Sequence, residues 1–207
     1  GTKISDVVFD IGGGIPGGKK AKAVQTGGPS GGCIPTDLFD TGLDFESLKE
    51  IGSIMGSGGM VVMDEDDCMV DISRFFLEFS VDESCGKCTP CRIGNKRLLE
   101  MLDKFVSGNA VMSDIDKLEE LSNMICDTSL CGLGQASPNP ILSTLKYFRQ
   151  EYIDHAKDKR CTARACKKLL KYYITEKCIG CTKCANVCPV KCIDGSIKKR
   201  HVITAQQ

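Results

Sequence analysis

The sequence predicts an α+β chain: a small β-rich segment, then four short helices around a cysteine-bearing loop, then a cysteine-dense tail. Three observations predict it. Residues 1–63 alternate short runs of strand formers with glycine-rich turns. Residues 64–153 carry four apolar stripes at helical spacing. The chain holds 14 cysteines in 207 residues, crowded at two-residue gaps, and they change its character from Cys178 onward.

In the β-rich segment, Val7, Val8, Phe9 and Ile11 read as a strand ended by Gly12, Gly13 and Gly14. Ala21 to Gln25 reads as a second strand, followed by Gly27, Gly28, Pro29, Ser30, Gly31 and Gly32. Glycine-rich turns can cradle phosphate, but neither stretch has the lysine or the spacing that phosphate loops use, so both are taken as tight turns. Asp44 to Met55 reads as a short helix and Met60 to Met63 as a last strand.

The first helical stripe is Ile72, Phe75, Phe76 and Phe79. The second is Leu98, Leu99, Leu102, Phe105 and Val106. Ile115, Leu118, Leu121 and Ile125 form a third, with Ser113 or Asp114 as its cap. Ile141, Leu145, Phe148 and Tyr152 form a fourth, with Pro138 and Pro140 near its start. These stripes are read as core packing and carry no chemistry. Residues 154–175 read as a charged linker with a short helix, and residues 176–207 as the last segment.

Composition excludes several classes. Lys and Arg together number 27, and so do Asp and Glu, for a net charge of zero. That balance argues against nucleic-acid binding, which needs a basic face. The cluster Lys198, Lys199, Arg200 and His201 is read as a solvated turn. No run approaches the roughly 18–20 apolar residues that cross a bilayer, and residues 1–10 lack the pattern of a signal peptide. Cysteines repeated at two-residue gaps suit metal ligation better than a secreted disulfide scaffold. The expected compartment is therefore reducing, the cytoplasm.

Cys85, Cys88 and Cys91 form a C-x2-C-x2-C run. Three thiolates on one loop can take three corners of a [4Fe–4S] cluster, with the fourth from elsewhere. Cys131, flanked by Gly132 and Gly134, is the candidate for that corner. Cys126 is its rival and is read as a buried apolar thiol. Structural zinc is the alternative for the quartet, although it more often uses two separated Cys-x-x-Cys pairs. Cys178, Cys181, Cys184 and Cys188, followed by Pro189, match the bacterial ferredoxin run. There the first three cysteines serve one cluster and the fourth serves another; in this sequence Cys178, Cys181 and Cys184 lack their expected fourth ligand and Cys188 lacks its expected companions. Cys192 could substitute but is read as packing. Cys161 and Cys166, with His155 six residues before Cys161, form a candidate zinc site that needs a fourth ligand. Cys33 reads as a small buried residue.

The stretch from Glu83 to Arg92 resembles the cluster motif of the NADH-binding flavoprotein subunit of respiratory complex I. It equally resembles the β subunits of NAD-dependent, electron-bifurcating [FeFe]-hydrogenases and related formate dehydrogenases. Ala23 to Pro35 and Met55 to Met60 resemble the soluble-ligand-binding β-grasp domain that precedes that motif. The resemblance covers almost the whole chain. It implies a β-grasp domain at 1–63, a four-helix [4Fe–4S] domain at 64–153, a linker at 154–175 and a partial ferredoxin-like domain at 176–207. It places the cluster on Cys85, Cys88, Cys91 and Cys131 and suggests Cys68 as the fourth zinc ligand. FMN and NAD(P) are implied for a larger N-terminal domain with no counterpart here, so the chain is expected to be a C-terminal portion of such a subunit. The implied partners are a hydrogenase or formate dehydrogenase catalytic subunit, a small [2Fe–2S] thioredoxin-like subunit and ferredoxin. The appended ferredoxin-type run favours the hydrogenase and formate dehydrogenase subunits over complex I. No residue is nominated as an acid, base or nucleophile. A zinc-stabilised interaction module without redox chemistry is the reading from another class.

Overall fold

The computed structural model describes residues 1–204. The chain divides into two compact units, residues 1–169 and 170–207.

In the first unit Asp6–Ile11 is a wide helical turn, where the sequence suggests a strand. Ile4 and Val8, four residues apart, both turn inward onto Val24, Ile34, Phe39 and Leu48, and that spacing belongs to a helix. Phe9 and Ile11 stay exposed. The sheet that follows is antiparallel, in the order β2-β1-β3, from β1 (Ala21–Thr26), β2 (Cys33–Pro35) and β3 (Met60–Asp64). Val24 at its centre pairs with Ile34 on one side and Val62 on the other. Gly27 and Gly56 both have positive φ, and a Cβ on Gly56 would lie 2.7 Å from the Gly27 Cα. The glycine turns therefore serve close backbone approach. Helix α1 (Phe45–Glu50) is shorter than the sequence suggests; Asp44 caps it, accepting from the amides of Glu46 and Ser47 at 3.1 and 2.8 Å.

The long helices α2 (Met69–Asp82), α3 (Asn95–Ser107), α4 (Met112–Thr128) and α6 (Asn139–Ile153) share one core, with the short α5 (Gly132–Ala136) between the last two. Leu98, Leu102, Phe105, Ile115, Leu118, Ile125, Ile141 and Leu145 are buried in it, as their periodicity indicates. On α2 the outcome differs. Its buried face is Met69, Val70, Ser73, Phe76, Leu77 and Ser80, while Phe75 is 61 % and Phe79 is 47 % exposed. The serines are inward because α2 and α6 meet through a buried hydroxyl cluster. Ser73 Oγ lies 2.7 Å from Thr144 Oγ1, and Thr144 Oγ1 lies 2.8 Å from the Tyr152 hydroxyl. The start of α4 also differs. Val111 holds the cap position, and Asp114, three residues on, accepts from the Val111 amide at 2.9 Å.

The segment read as a linker sends several residues into the core. Helix α6 runs on into a wide turn at Asp154–Asp158, and Ala156, Cys161, Cys166 and Leu169 join the helical core. Two ties bind sheet to helices. The Cys33 amide donates to Ser143 Oγ at 2.9 Å, and Lys22 Nζ meets Glu151 Oε1 at 2.7 Å in a largely buried ion pair. The second unit holds α7 (Lys183–Val187) and a two-stranded ladder of β4 (Ile193–Asp194) and β5 (Val202–Ile203). Among the described residues, no helix is long and apolar enough to cross a membrane.

Candidate metal centres

The first cysteine loop hangs between α2 and α3. Gly86, at φ 75°, turns the chain, and Arg92 Nη1 clamps the turn by donating to the Gly86 carbonyl at 2.6 Å. Cys91 sits within a wide helical turn at Pro90–Gly94 that runs directly into α3. Its buried sulfur lies 3.2 Å from Ser84 Oγ and 3.5 Å from Asn95 Nδ2. Cys88 has its thiol pulled below the usual range, first by the Leu130 amide and then by the Cys91 amide.

The Leu130 contact joins two remote segments, because Leu130 precedes Cys131. Cys131 itself holds the cap position of α5. One turn on, Gly134 lies so close to the loop that a Cβ there would stand 3.1 Å from the Cys91 Cβ. Ser137 Oγ donates to Asn95 Oδ1 at 2.9 Å and fastens the same junction. Cys85 and Cys131 are exposed, Cys88 is partly buried and Cys91 is buried. The rival Cys126 lies in the last turn of α4, where burial and then Asp127 push its thiol up. Amide and side-chain donors aimed at sulfur are what a cluster-bound thiolate uses, so Cys88 and Cys91 fit that group.

Cys68, His155, Cys161 and Cys166 converge, all buried, with their ligand atoms within 4.8 Å of one another. His155 Nε2 lies 3.4 Å from the sulfurs of both Cys68 and Cys166, and those sulfurs are 3.7 Å apart. Metal–sulfur bonds of about 2.3 Å and metal–nitrogen bonds of about 2.0–2.1 Å in a tetrahedral zinc site give sulfur–sulfur edges of about 3.8 Å and sulfur–nitrogen edges of about 3.6 Å. The three edges among Cys68, Cys166 and His155 lie close to that frame, and 3.7 Å is far beyond a disulfide. His155 Nδ1 faces the Glu151 carbonyl at 2.7 Å, which leaves Nε2 as the atom turned toward the sulfurs. Burial alone would lower the His155 pKa, but the Cys161 and Cys68 sulfurs raise it to about 10. Cys161 is pulled down by hydrogen bonds from Cys166 and Cys68, while Cys166 is pushed up. Three buried sulfurs and one imidazole nitrogen gathered this closely suit a divalent cation. Around the site, Glu151 Oε2 accepts from the Met69 amide at 3.0 Å and Lys22 donates to the Asp67 carbonyl at 2.6 Å, bracketing Cys68.

In the second unit, the Cys178 thiol is pulled down by the amides of His201 and then Gly180, and His201 Nδ1 stands 4.0 Å from its sulfur. The Cys192 amide pulls Cys188 down, and the two sulfurs are 3.7 Å apart. Cys181 and Cys184 are exposed. The sequence pattern hides His201. It follows three exposed cations, yet it is 1 % exposed.

Residues 71–155 match the NADH-ubiquinone oxidoreductase-F iron–sulfur binding region. Cys85, Cys88, Cys91 and Cys131 all fall inside the matched region, whereas Cys68, Cys161 and Cys166 fall outside it. Residues 171–194 match a 4Fe–4S binding domain and contain Cys178, Cys181, Cys184, Cys188 and Cys192. The chain is 57 % identical over 202 residues to the NADP-reducing hydrogenase subunit HndC of Solidesulfovibrio fructosivorans, covering 97 % of this chain and 41 % of that protein. It is 38 % identical over 161 residues to the F 2 subunit of the NADH-quinone oxidoreductase of Rhizobium meliloti (strain 1021), covering 78 % of this chain and 38 % of that one. A crystal structure of NAD+-reducing [NiFe]-hydrogenase in the H2-reduced state aligns with a TM-score of 0.67 at 30 % identity, over 76 % of this chain and 26 % of the other. The chain thus spans about two fifths of the length of the two curated relatives.

Proposed function

We propose that this chain is the electron-transfer segment of an NAD(P)-dependent, electron-bifurcating hydrogenase subunit, relaying electrons between FMN, iron–sulfur clusters and ferredoxin. Cys85, Cys88, Cys91 and Cys131 hold one [4Fe–4S] cluster in this reading. The observation that supports it is the close approach of the segment after Cys131 to the three-cysteine loop, where a Cβ on Gly134 would stand 3.1 Å from the Cys91 Cβ. Cys178, Cys181, Cys184 and Cys188 serve ferredoxin-type clusters. A bound cluster supplies a one-electron centre; the chain supplies thiolates, amide donors and burial that set its potential.

Cys68, His155, Cys161 and Cys166 hold a structural zinc ion in the same reading, supported by the convergence of all four buried ligand atoms within 4.8 Å of one another and by the near-tetrahedral edges among Cys68, His155 and Cys166. The flavin and nicotinamide sites belong to a larger subunit, and its partners are a hydrogenase catalytic subunit and a [2Fe–2S] subunit. A formate dehydrogenase or complex I assembly is the alternative setting. The similarity to the NADP-reducing hydrogenase subunit over 97 % of the chain favours hydrogenase.

The test is iron, acid-labile sulfide and zinc analysis of anaerobically purified protein, with EPR after dithionite reduction. Iron and sulfide in equal amounts, with one signal lost in Cys131→Ala, support the relay. Zinc without iron or sulfide would leave only a zinc-stabilised interaction module.

A further inference from the structure

His201 lies just past the region that matches the 4Fe–4S binding domain, which ends at residue 194. Its surroundings are unlike those of the cations before it. Lys198, Lys199 and Arg200 are exposed, and Arg200 reaches away to the Ile174 carbonyl through Nε and Nη2 at 3.0 and 2.6 Å. His201 is 1 % exposed in a unit spanning residues 170–207. Gly195 makes room for the ring, since a Cβ there would stand 2.5 Å from the His201 Cγ. Burying an imidazole costs free energy unless its nitrogens find partners. Yet Nε2 is buried without one, so the ring rests on its Nδ1 side. That side faces Cys178, whose sulfur is 4.0 Å from Nδ1. The His201 amide points at the same sulfur, and Gly180 adds another amide. A neutral thiol is a weak acceptor for such a set of donors. A ligated thiolate is a charged one, and bonds to it are shorter and stronger.

We propose that His201 is a positioning residue for the ferredoxin-type cluster: amide and Nδ1 both donate to Cys178 Sγ and raise that cluster's reduction potential. The inference rests on the reading that Cys178, Cys181 and Cys184 hold a cluster. Reduction adds negative charge to the cluster and its thiolates, so donors on a ligand sulfur stabilise the reduced state more than the oxidised one. The imidazole also closes that side of Cys178 to water.

The experiment is an EPR-monitored redox titration of the anaerobically purified full chain, comparing the native protein with His201→Phe and His201→Gln, alongside iron and sulfide analysis. The signal assigned to the Cys85 loop, removed by Cys131→Ala, is the internal reference. In His201→Phe the ratio of oxidised to reduced ferredoxin-type cluster at the native midpoint rises about tenfold, equal to a shift of about 59 mV to lower potential for one electron. The reference signal stays in place, and His201→Gln, which keeps a side-chain donor, recovers part of the shift. An unmoved potential in His201→Phe at full iron content overturns the inference. Should His201→Phe lose iron, His201→Leu, smaller and without a side-chain donor, decides: a potential below the native one supports the role, and a value equal to native refutes it. A native protein with the reference signal but no second one removes the cluster reading, and the inference with it.

Discussion

Replacing Gly134 by alanine tests whether the Cys131 segment must lie against the three-cysteine loop. A methyl group at Gly134 would stand 2.7 Å from the Ser129 Cβ and Oγ and 3.1 Å from the Cys91 Cβ. Ser129 is buried and held between α4 and α5, and Cys91 is fixed by Ser84 and Asn95. Neither neighbour is the loose end of a flexible side chain, so α5 has to shift and carry Cys131 with it. Overpacking of this kind costs about 1–3 kcal/mol, equivalent to a Tm lower by about 2–12 °C in a chain of this size. The functional effect should exceed the stability effect, because a cluster needs all four thiolates in place. The expected result is a lower iron and sulfide content and a weaker EPR signal from this loop, with zinc unchanged. Gly132→Ala is the control. Gly132 also neighbours Cys131, but a Cβ there meets nothing within 4 Å, so iron content should hold. Full iron content in Gly134→Ala, with a native EPR signal, would refute the reasoning that this junction positions the fourth thiolate.

Three further outcomes are expected. Cys161→Ser should reduce bound zinc from about one per chain to near zero by elemental analysis and lower the Tm, while the Cys85-loop signal persists; retained zinc would remove Cys161 from the site. Lys22→Met leaves the Glu151 carboxylate without its 2.7 Å partner in a largely buried position, and losing one member of such a pair costs about 3 kcal/mol; an unchanged midpoint in urea would show that water replaces the lysine. Asp44 is held below the ordinary carboxylate range by the Ser47 amide and hydroxyl and then by the Glu46 amide. A depressed carboxyl stabilises the fold above its unfolded pKa of about 3.9 and loses that contribution as pH falls through its lower folded value. Asp44→Asn should therefore lose stability at neutral pH but not at strongly acid pH, as read by unfolding at each pH, and equal losses at both would contradict the assignment.

The elements legible in the sequence are those where chemistry is local. Leu98, Leu102 and Phe105 declare the inner face of α3 because nothing else competes for it. The two-residue cysteine gaps announce shared ligation because they compress sulfurs into one loop. On α2 the same reasoning points to the wrong residues, since the contact with α6 is made by hydroxyls, and a hydrophobicity pattern cannot see Ser73 bonding Thr144 and Tyr152. The first helical turn is hidden for the opposite reason. Val7, Val8 and Phe9 are strong strand formers, and only the burial of Ile4 with Val8 chooses the helix. His155 and His201 sit among charged residues in the sequence, and what withdraws each from solvent is a partner far along the chain. Cys68 lies 87 residues before His155, a separation no local pattern spans.

Cys68 and Cys166, 98 positions apart, enclose the whole helical core and its cysteine loop between them. A crosslink across about 100 residues removes on the order of 4.7 kcal/mol of chain entropy from the unfolded state. A disulfide could provide it only where the surroundings are oxidising, and would open whenever reductant was plentiful. Zinc has no redox chemistry of its own. On the proposed reading, the strap around the electron-carrying loop is held by an ion that neither takes nor gives an electron. Current could then pass through the chain in either direction while the frame that spaces its centres stays the same.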